Sequence, residues 1–215
     1  MHEPEREIAR LGAEDATARL LARLAGVSVD PATPSRLPGW SRGHVLTHLA
    51  RNADSMFRVL DGLASGDVDI ERYPGGAASR DRDIDAGAGR PFRAARHDVE
   101  SSARRLHARW SEFDHWEGRS TEATGHTIPV TDLPMMRWRE VEVHGVDLDL
   151  GLTPADWPAL FVRLELRAME MRWRARRPMG MTGLPPDALA LDPPTRLAWL
   201  YGRAEVDGLP AAGIL

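Results

Sequence analysis

The stretch Trp40-Ser-Arg-Gly-His-Val-Leu-Thr-His-Leu-Ala-Arg-Asn-Ala-Asp-Ser-Met-Phe-Arg-Val-Leu-Asp-Gly-Leu63 decides the fold. Val45, Leu49, Ala53, Met56, Leu60 and Leu63 recur at helical spacing, so one long helix presents a continuous apolar stripe. Ser41 stands where an N-cap belongs, because its hydroxyl can accept from the unpaired amides of the first turn. A helix of this length with one apolar stripe is a bundle helix. It also carries two histidines four residues apart, His44 and His48.

Working outward, the connector Pro31 to Gly39 is rich in breakers and separates this helix from an earlier one. The earlier segment, Glu3 to Ala25, places Ile8, Leu11, Ala18, Leu21 and Ala25 near helical spacing, with Asp15 interrupting the stripe. Residues 65–91 are polar and glycine-rich and read as a long surface loop with at most a short element. Phe92 to Trp110 reads as a third helix through Ala95, Val99, Ala103 and Leu106. The stretch 111–131 is irregular, with room for a hairpin-like excursion. Asp132 then opens a fourth helix, with Pro134 tolerated in its first turn and Gly151 as its stop. Four helices with long connections predict a four-helix bundle. A boundary near residue 153 divides the chain into 1–153 and a small C-terminal region, 154–215. That region holds a helix over 155–177 ending in a basic run, a Gly/Pro-rich break, and a last helix from Pro193 to Arg203.

The bulk properties narrow the function. A net charge of -4 and a pI near 6.1, with arginines scattered among acids, give no electrostatic basis for nucleic-acid binding. No stretch approaches the roughly 20 apolar residues that span a bilayer, and the first ten residues lack a signal-peptide pattern, so a cytoplasmic location without membrane contact is expected. The chain has no Cys, so any sulfur chemistry must use a thiol from outside. It also has no Lys, which removes Schiff-base catalysis.

On the fourth helix, Glu140 and His144 are four residues apart and aim at one point. A carboxylate and an imidazole on an otherwise apolar face need a partner, either each other or a metal ion. On the second helix His48 lies beside the apolar stripe, whereas His44, near the helix start, reads as a rim or cap residue. One imidazole from the second helix meeting Glu140 and His144 makes a two-His, one-carboxylate set with an open position. Zinc, nickel and iron all accept such donors. The remaining candidates are weaker. Glu142 is rotated away and expected in solvent. Arg51 and Asn52 suit either a cavity wall or a surface ion pair. His126 falls in the irregular stretch, and His97, His107 and His115 have no paired spacing. Trp40, Trp138 and Trp199 read as packing.

Three motifs give this pattern a family. Leu37-Pro-Gly-Trp-Ser-Arg-Gly-His-Val-Leu-Thr-His-Leu-Ala-Arg-Asn-Ala-Asp54 resembles the second-helix motif of mycothiol-dependent maleylpyruvate isomerases, within the DinB-like bundle superfamily. Arg139-Glu-Val-Glu-Val-His-Gly-Val-Asp-Leu148 resembles their second motif, and Arg196-Leu-Ala-Trp-Leu-Tyr-Gly-Arg203 their C-terminal element. The resemblance implies a mainly α fold, a DinB-like four-helix bundle with a small C-terminal α+β appendage. It implies a zinc ion (or another divalent ion) on His48, Glu140 and His144, mycothiol as thiol cosubstrate, and Arg203 supporting catalysis. The implied reaction is cis–trans isomerisation of maleylpyruvate to fumarylpyruvate in the gentisate pathway. The alternatives are a mycothiol S-transferase acting on another electrophile, or a non-enzymatic, metal-dependent binder of a small ligand.

Overall fold

The computed structural model describes residues 1–114, 116–176 and 183–213. His115 and the end of the basic run at Arg177 lie outside them. The described chain forms two compact units, Met1–Leu150 and Gly151–Leu215.

The first unit holds α1 (Glu3–Ala25), α2 (Arg42–Ala64), β1 (Asp69–Glu71), α3 (Gly76–Ala88), α4 (Phe92–Ser111), β2 (Arg119–Thr121), β3 (Thr127–Pro129) and α5 (Leu133–Asp147). α1 packs on α5, α5 on α2, α2 on α4 and α4 on α1, which closes a four-helix ring. α2 is the most enclosed: Val45, Leu46, Leu49, Ala50, Ala53, Met56, Val59 and Leu60 are inaccessible to solvent. Its stripe, and that of α4 through Ala95, Val99, Ala103 and Leu106, lie in the core as the periodicity predicts.

Two readings of the sequence are corrected. The buried face of α1 is Ala9, Ala13, Ala16, Leu20 and Leu24, while Ile8 and Leu11 are exposed. The cause is steric: α1 meets α5 through small residues, and a Cβ on Gly12 would stand 2.5 Å from the Trp138 ring. A bulky stripe has no room there. The segment 65–91 is also more ordered than a loop, since it holds β1 and the 13-residue α3, which packs on α2. α3 buries only Ile84 and Ala88, too few to mark a periodic face.

The 111–131 stretch contains the hairpin β2–β3, and β1 joins β2 in parallel to complete a three-stranded sheet. Residues Val130–Asp132 form a 3₁₀ turn that leads into α5. α5 stops at Asp147, before Gly151: Asp149 turns to a left-handed φ of 54°, and the carbonyls left at this end are met from the side. Arg42 Nε donates to the Leu148 oxygen at 2.9 Å, Arg42 Nη2 to the Asp149 oxygen at 2.9 Å, and the Arg36 amide to the Asp147 oxygen at 2.8 Å. This clasp ties the start of α2 to the end of α5.

The second unit contains a 3₁₀ turn (Pro154–Asp156) capped by Thr153, then α6 (Ala159–Ala175), α7 (Pro186–Ala190) and α8 (Pro193–Leu200). Its described part is helical; the three strands belong to the first unit. Trp173 and Trp199 pack with ring centroids 5.4 Å apart, and the Tyr201 hydroxyl donates to the buried Glu165 carboxylate. Just past the end of α8, Gly202 takes the left-handed conformation and the Arg203 amide reaches back to the Ala198 oxygen, a Schellman closure.

Candidate metal centre

The clasp between Arg42 and the end of α5 sets α2 and α5 antiparallel, with the N-terminal half of α2 facing the C-terminal half of α5. His48 and the pair Glu140–His144 therefore meet inside the bundle. One donor atom from each of the three lies within 4.8 Å of the others. His48 Nε2 is 2.7 Å from Glu140 Oε2, and His144 Nε2 is 3.3 Å from the same oxygen. The imidazole rings stand nearly perpendicular, centroids 4.7 Å apart.

His144 is oriented from behind: its Nδ1 lies 2.8 Å from Asp147 Oδ2, and Asp147 is completely buried. A carboxylate on Nδ1 fixes a proton there and turns Nε2 toward Glu140. His48 has no such support, since its Nδ1 is buried without a hydrogen-bond partner among the described residues. The Trp40 indole instead packs against His48 edge to face, centroids 5.5 Å apart, and stacks on His44 at 6.2 Å.

Electrostatics follow from this packing. Burial disfavours a charge on Glu140, but the two histidines outweigh it and hold its carboxyl well below the usual carboxylate range. Burial dominates at His48 and pushes its pKa down. Burial also presses on His144, yet the hydrogen bonds to Asp147 and Glu140 win and lift its pKa to about 9. Without an ion, His144 is a cation clamped between two carboxylates at neutral pH.

The three residues fit a divalent ion. A tetrahedral zinc with bonds of about 2.0–2.2 Å separates its ligand atoms by about 3.3–3.5 Å. The His144–Glu140 spacing already has that value, and the His48–Glu140 pair must open by roughly half an ångström to reach it. Two imidazoles and one carboxylate leave at least one position for an outside ligand, and the Asp147–His144 contact is the outer support that such sites use.

The other sequence candidates separate from this centre. His44 belongs to the α2 cap: the Ser41 amide donates to its Nδ1 at 3.1 Å, completing a reciprocal capping box. Glu142, expected in solvent, is buried against Trp138 Nε1 at 3.0 Å and paired with Arg19, and its burial raises its pKa. It is no ligand. Arg51 makes a two-pronged ion pair with Asp98 at 2.8 Å, whereas Asn52 is buried in the core. His126 is exposed near the β2–β3 turn. Trp138 and Trp199 are core residues. In the second unit, Arg203 is half-buried and donates from Nη1 to the Tyr201 oxygen at 2.8 Å. Sequence reasoning passed over Asp147 and Arg137 and took Trp40 only for packing. The available signal was spacing, since Asp147 and Arg137 lie three residues from His144 and Glu140 on the same helix face.

Comparison with known proteins bears on the family and the fold. The sequence model of the family described as the mycothiol maleylpyruvate isomerase N-terminal domain matches residues 13–149. Among solved structures, that of the mycothiol-dependent maleylpyruvate isomerase aligns with a TM-score of 0.78 at 24% identity, covering 93% of this chain and 90% of that one. A histidine-to-alanine mutant of that enzyme aligns with the same TM-score at 23% identity and the same coverage. At these identities the likeness speaks for the fold. No curated protein sequence matches the chain.

Proposed function

Because the chain belongs to the family of the mycothiol maleylpyruvate isomerase N-terminal domain, we propose that it is a thiol-dependent cis–trans isomerase with a divalent ion on His48, Glu140 and His144. The thiol is mycothiol, the substrate maleylpyruvate and the product fumarylpyruvate. The observation that carries this reading is the convergence of three donor atoms from two helices, within 4.8 Å, in a chain with no cysteine of its own.

A divalent ion, zinc by the character of the donors, would supply a Lewis acid and lower the pKa of a thiol beside it. The chain's own residues do the rest. Asp147 keeps the proton of His144 on Nδ1, so that Nε2 is free to ligate. Glu140, anionic throughout the neutral range, supplies the one negative charge among the three donors. Trp40 packs on the flank of His48 and keeps water from its ring. Arg203 holds a substrate carboxylate with its planar fork.

The reaction balances without a redox step. The thiolate forms a C–S bond to one carbon of the activated cis double bond, and the electron pair moves onto the conjugated carbonyl as an enolate. The former double bond, now single, rotates. The enolate returns its pair, the C–S bond breaks, and the thiolate leaves a trans double bond.

The test replaces His48, Glu140 and His144 singly by Ala and measures metal content and thiol-dependent turnover. Each variant is expected to lose both. Retention of both in any two overturns the centre. A stable thiol adduct accumulating in place of the trans isomer overturns the isomerase and leaves a thiol transferase.

A further inference from the structure

Beneath the three candidate ligands the bundle interior stays polar. Arg137 lies three residues before Glu140 on α5, on the same face. Its side chain is fully buried. Nη1 donates to the Leu49 oxygen at 2.8 Å and to Asn52 Oδ1 at 2.9 Å, so the guanidinium sits against the α2 turn that follows His48. Nε and Nη2 are buried with no acceptor among the described residues. Both partners of this cation are neutral, and among the described residues no carboxylate forms an ion pair with it.

A buried guanidinium without a counter-charge is uncommon, because desolvation costs several kcal/mol that an opposite charge normally offsets. Burial lowers its pKa only to about 10, so it remains a cation at neutral pH. The charged and titratable groups whose fields reach it are Glu140 on α5, Asp54 on α2, His107 on α4, and Arg72 and Tyr73 between β1 and α3. Arg72 is buried too; it donates to Ser55 Oγ at 3.2 Å and stands 3.7 Å from Glu122.

Charge balance then gives Arg137 a task. With a divalent ion on His48, Glu140 and His144, the two positive charges are matched by Glu140 directly and by Asp147 behind His144. Arg72 is answered by Glu122 at 3.7 Å, and Asp54 by Arg51 at 3.0 Å and Arg105 at 2.6 Å, so Arg137 leaves one positive charge in excess, in an interior where charge is poorly screened. A neutral molecule at the open position leaves that excess standing, and an anion cancels it. We propose that Arg137 is a positioning residue whose buried charge makes the centre select an anionic outside ligand, a thiolate rather than a thiol. This rests on the reading of the three residues as a metal centre.

The test uses the full chain loaded with cobalt(II), with 2-mercaptoethanol as the thiol. The sulfur-to-cobalt charge-transfer band is followed against pH in the parent, Arg137→Met, Arg137→Lys and Asn52→Ala. Arg137→Met is expected to raise the midpoint by about one pH unit, a roughly tenfold weaker hold on the thiolate. Arg137→Lys keeps the charge and is expected to restore the parent midpoint. Asn52→Ala loses a hydrogen bond but no charge and is expected to keep that midpoint. An Arg137→Met protein that loads cobalt with the parent's midpoint overturns the role of Arg137 alone and leaves it a clasp between α2 and α5. A parent that takes up no cobalt overturns the centre itself, and this role with it. If Arg137→Met does not fold, the parent decides by its preference between azide and imidazole at the cobalt. A preference for the anion of about tenfold or more is expected, and parity overturns the proposal.

Discussion

Asp147 and His107 show how much one buried residue decides. Asp147 is not among the three candidate ligands, yet among the described residues it alone hydrogen-bonds the back of His144. Asp147→Ala is expected to weaken metal binding about 10–100-fold, read by competition with a chelator on folded protein; unchanged affinity would remove Asp147 from the centre. His107 stacks on Trp110, 5.6 Å between centroids, with its Nε2 buried and, among the described residues, unpartnered. Burial, aided by the positive charge of Arg137, lowers its pKa from 6.5 to about 4. Above pH 6.5 neither the folded nor the unfolded ring holds the extra proton, and stability is undiminished. As the pH falls from 6.5 toward 4 the unfolded chain takes up a proton that the native protein refuses, so stability is lost in that window. Between pH 7 and 5 the loss from this ring is up to about 2 kcal/mol. His107→Gln is expected to lose that much less over the same interval in urea unfolding.

At the scale of elements, close approach matters more than apolar bulk. α1 meets α5 where Gly12 faces the Trp138 ring, and three ring atoms would lie within 2.6 Å of an added Cβ. Gly12→Ala gains up to about 1 kcal/mol of helix propensity, but overpacking against a rigid indole costs about 1–3 kcal/mol. A net loss of roughly 1 kcal/mol, seen as a lower urea midpoint with an unchanged slope, is expected. The same contact explains what the sequence did and did not disclose. α2, α4 and α5 were legible because large apolar residues recur on one face of each. The face of α1 was misread because alanine is a weak marker of burial, and the two isoleucine and leucine side chains that looked like a stripe point to solvent. α3 was missed because it docks with two residues, and strands of three residues carry no alternation to detect. The donors were legible as spacings within two helices. Arg137 and Asn52 were not, because the burial of a polar group depends on the helix packed against it, which no local pattern records.

For the molecule as a whole, the two units put the candidate ligands and Arg203 in different parts of the chain, Met1–Leu150 and Gly151–Leu215. Their roles are therefore separable. Arg203→Ala is expected to lower thiol-dependent turnover by tenfold or more, while the protein keeps its full complement of metal. Joint loss of metal and turnover would move Arg203 into the scaffold. Metal removal is expected to act on stability through the first unit. An ion present at 100 times its dissociation constant adds about 2.7 kcal/mol, so chelation should lower Tm by several degrees, and an unchanged Tm would count against specific binding. Among the described residues, no helix is long and apolar enough to cross a membrane.

His48 and Glu140 stand 92 residues apart in sequence and 2.7 Å apart in space. During synthesis, α2 emerges long before its counterpart, and the Arg42 clasp must wait for the residues at the end of α5. An ion meeting the growing chain finds single imidazoles and no cage until residue 144 has left the ribosome. On the proposed reading, loading the centre is thus a check on assembly: a chain that held the ion would already have closed its bundle.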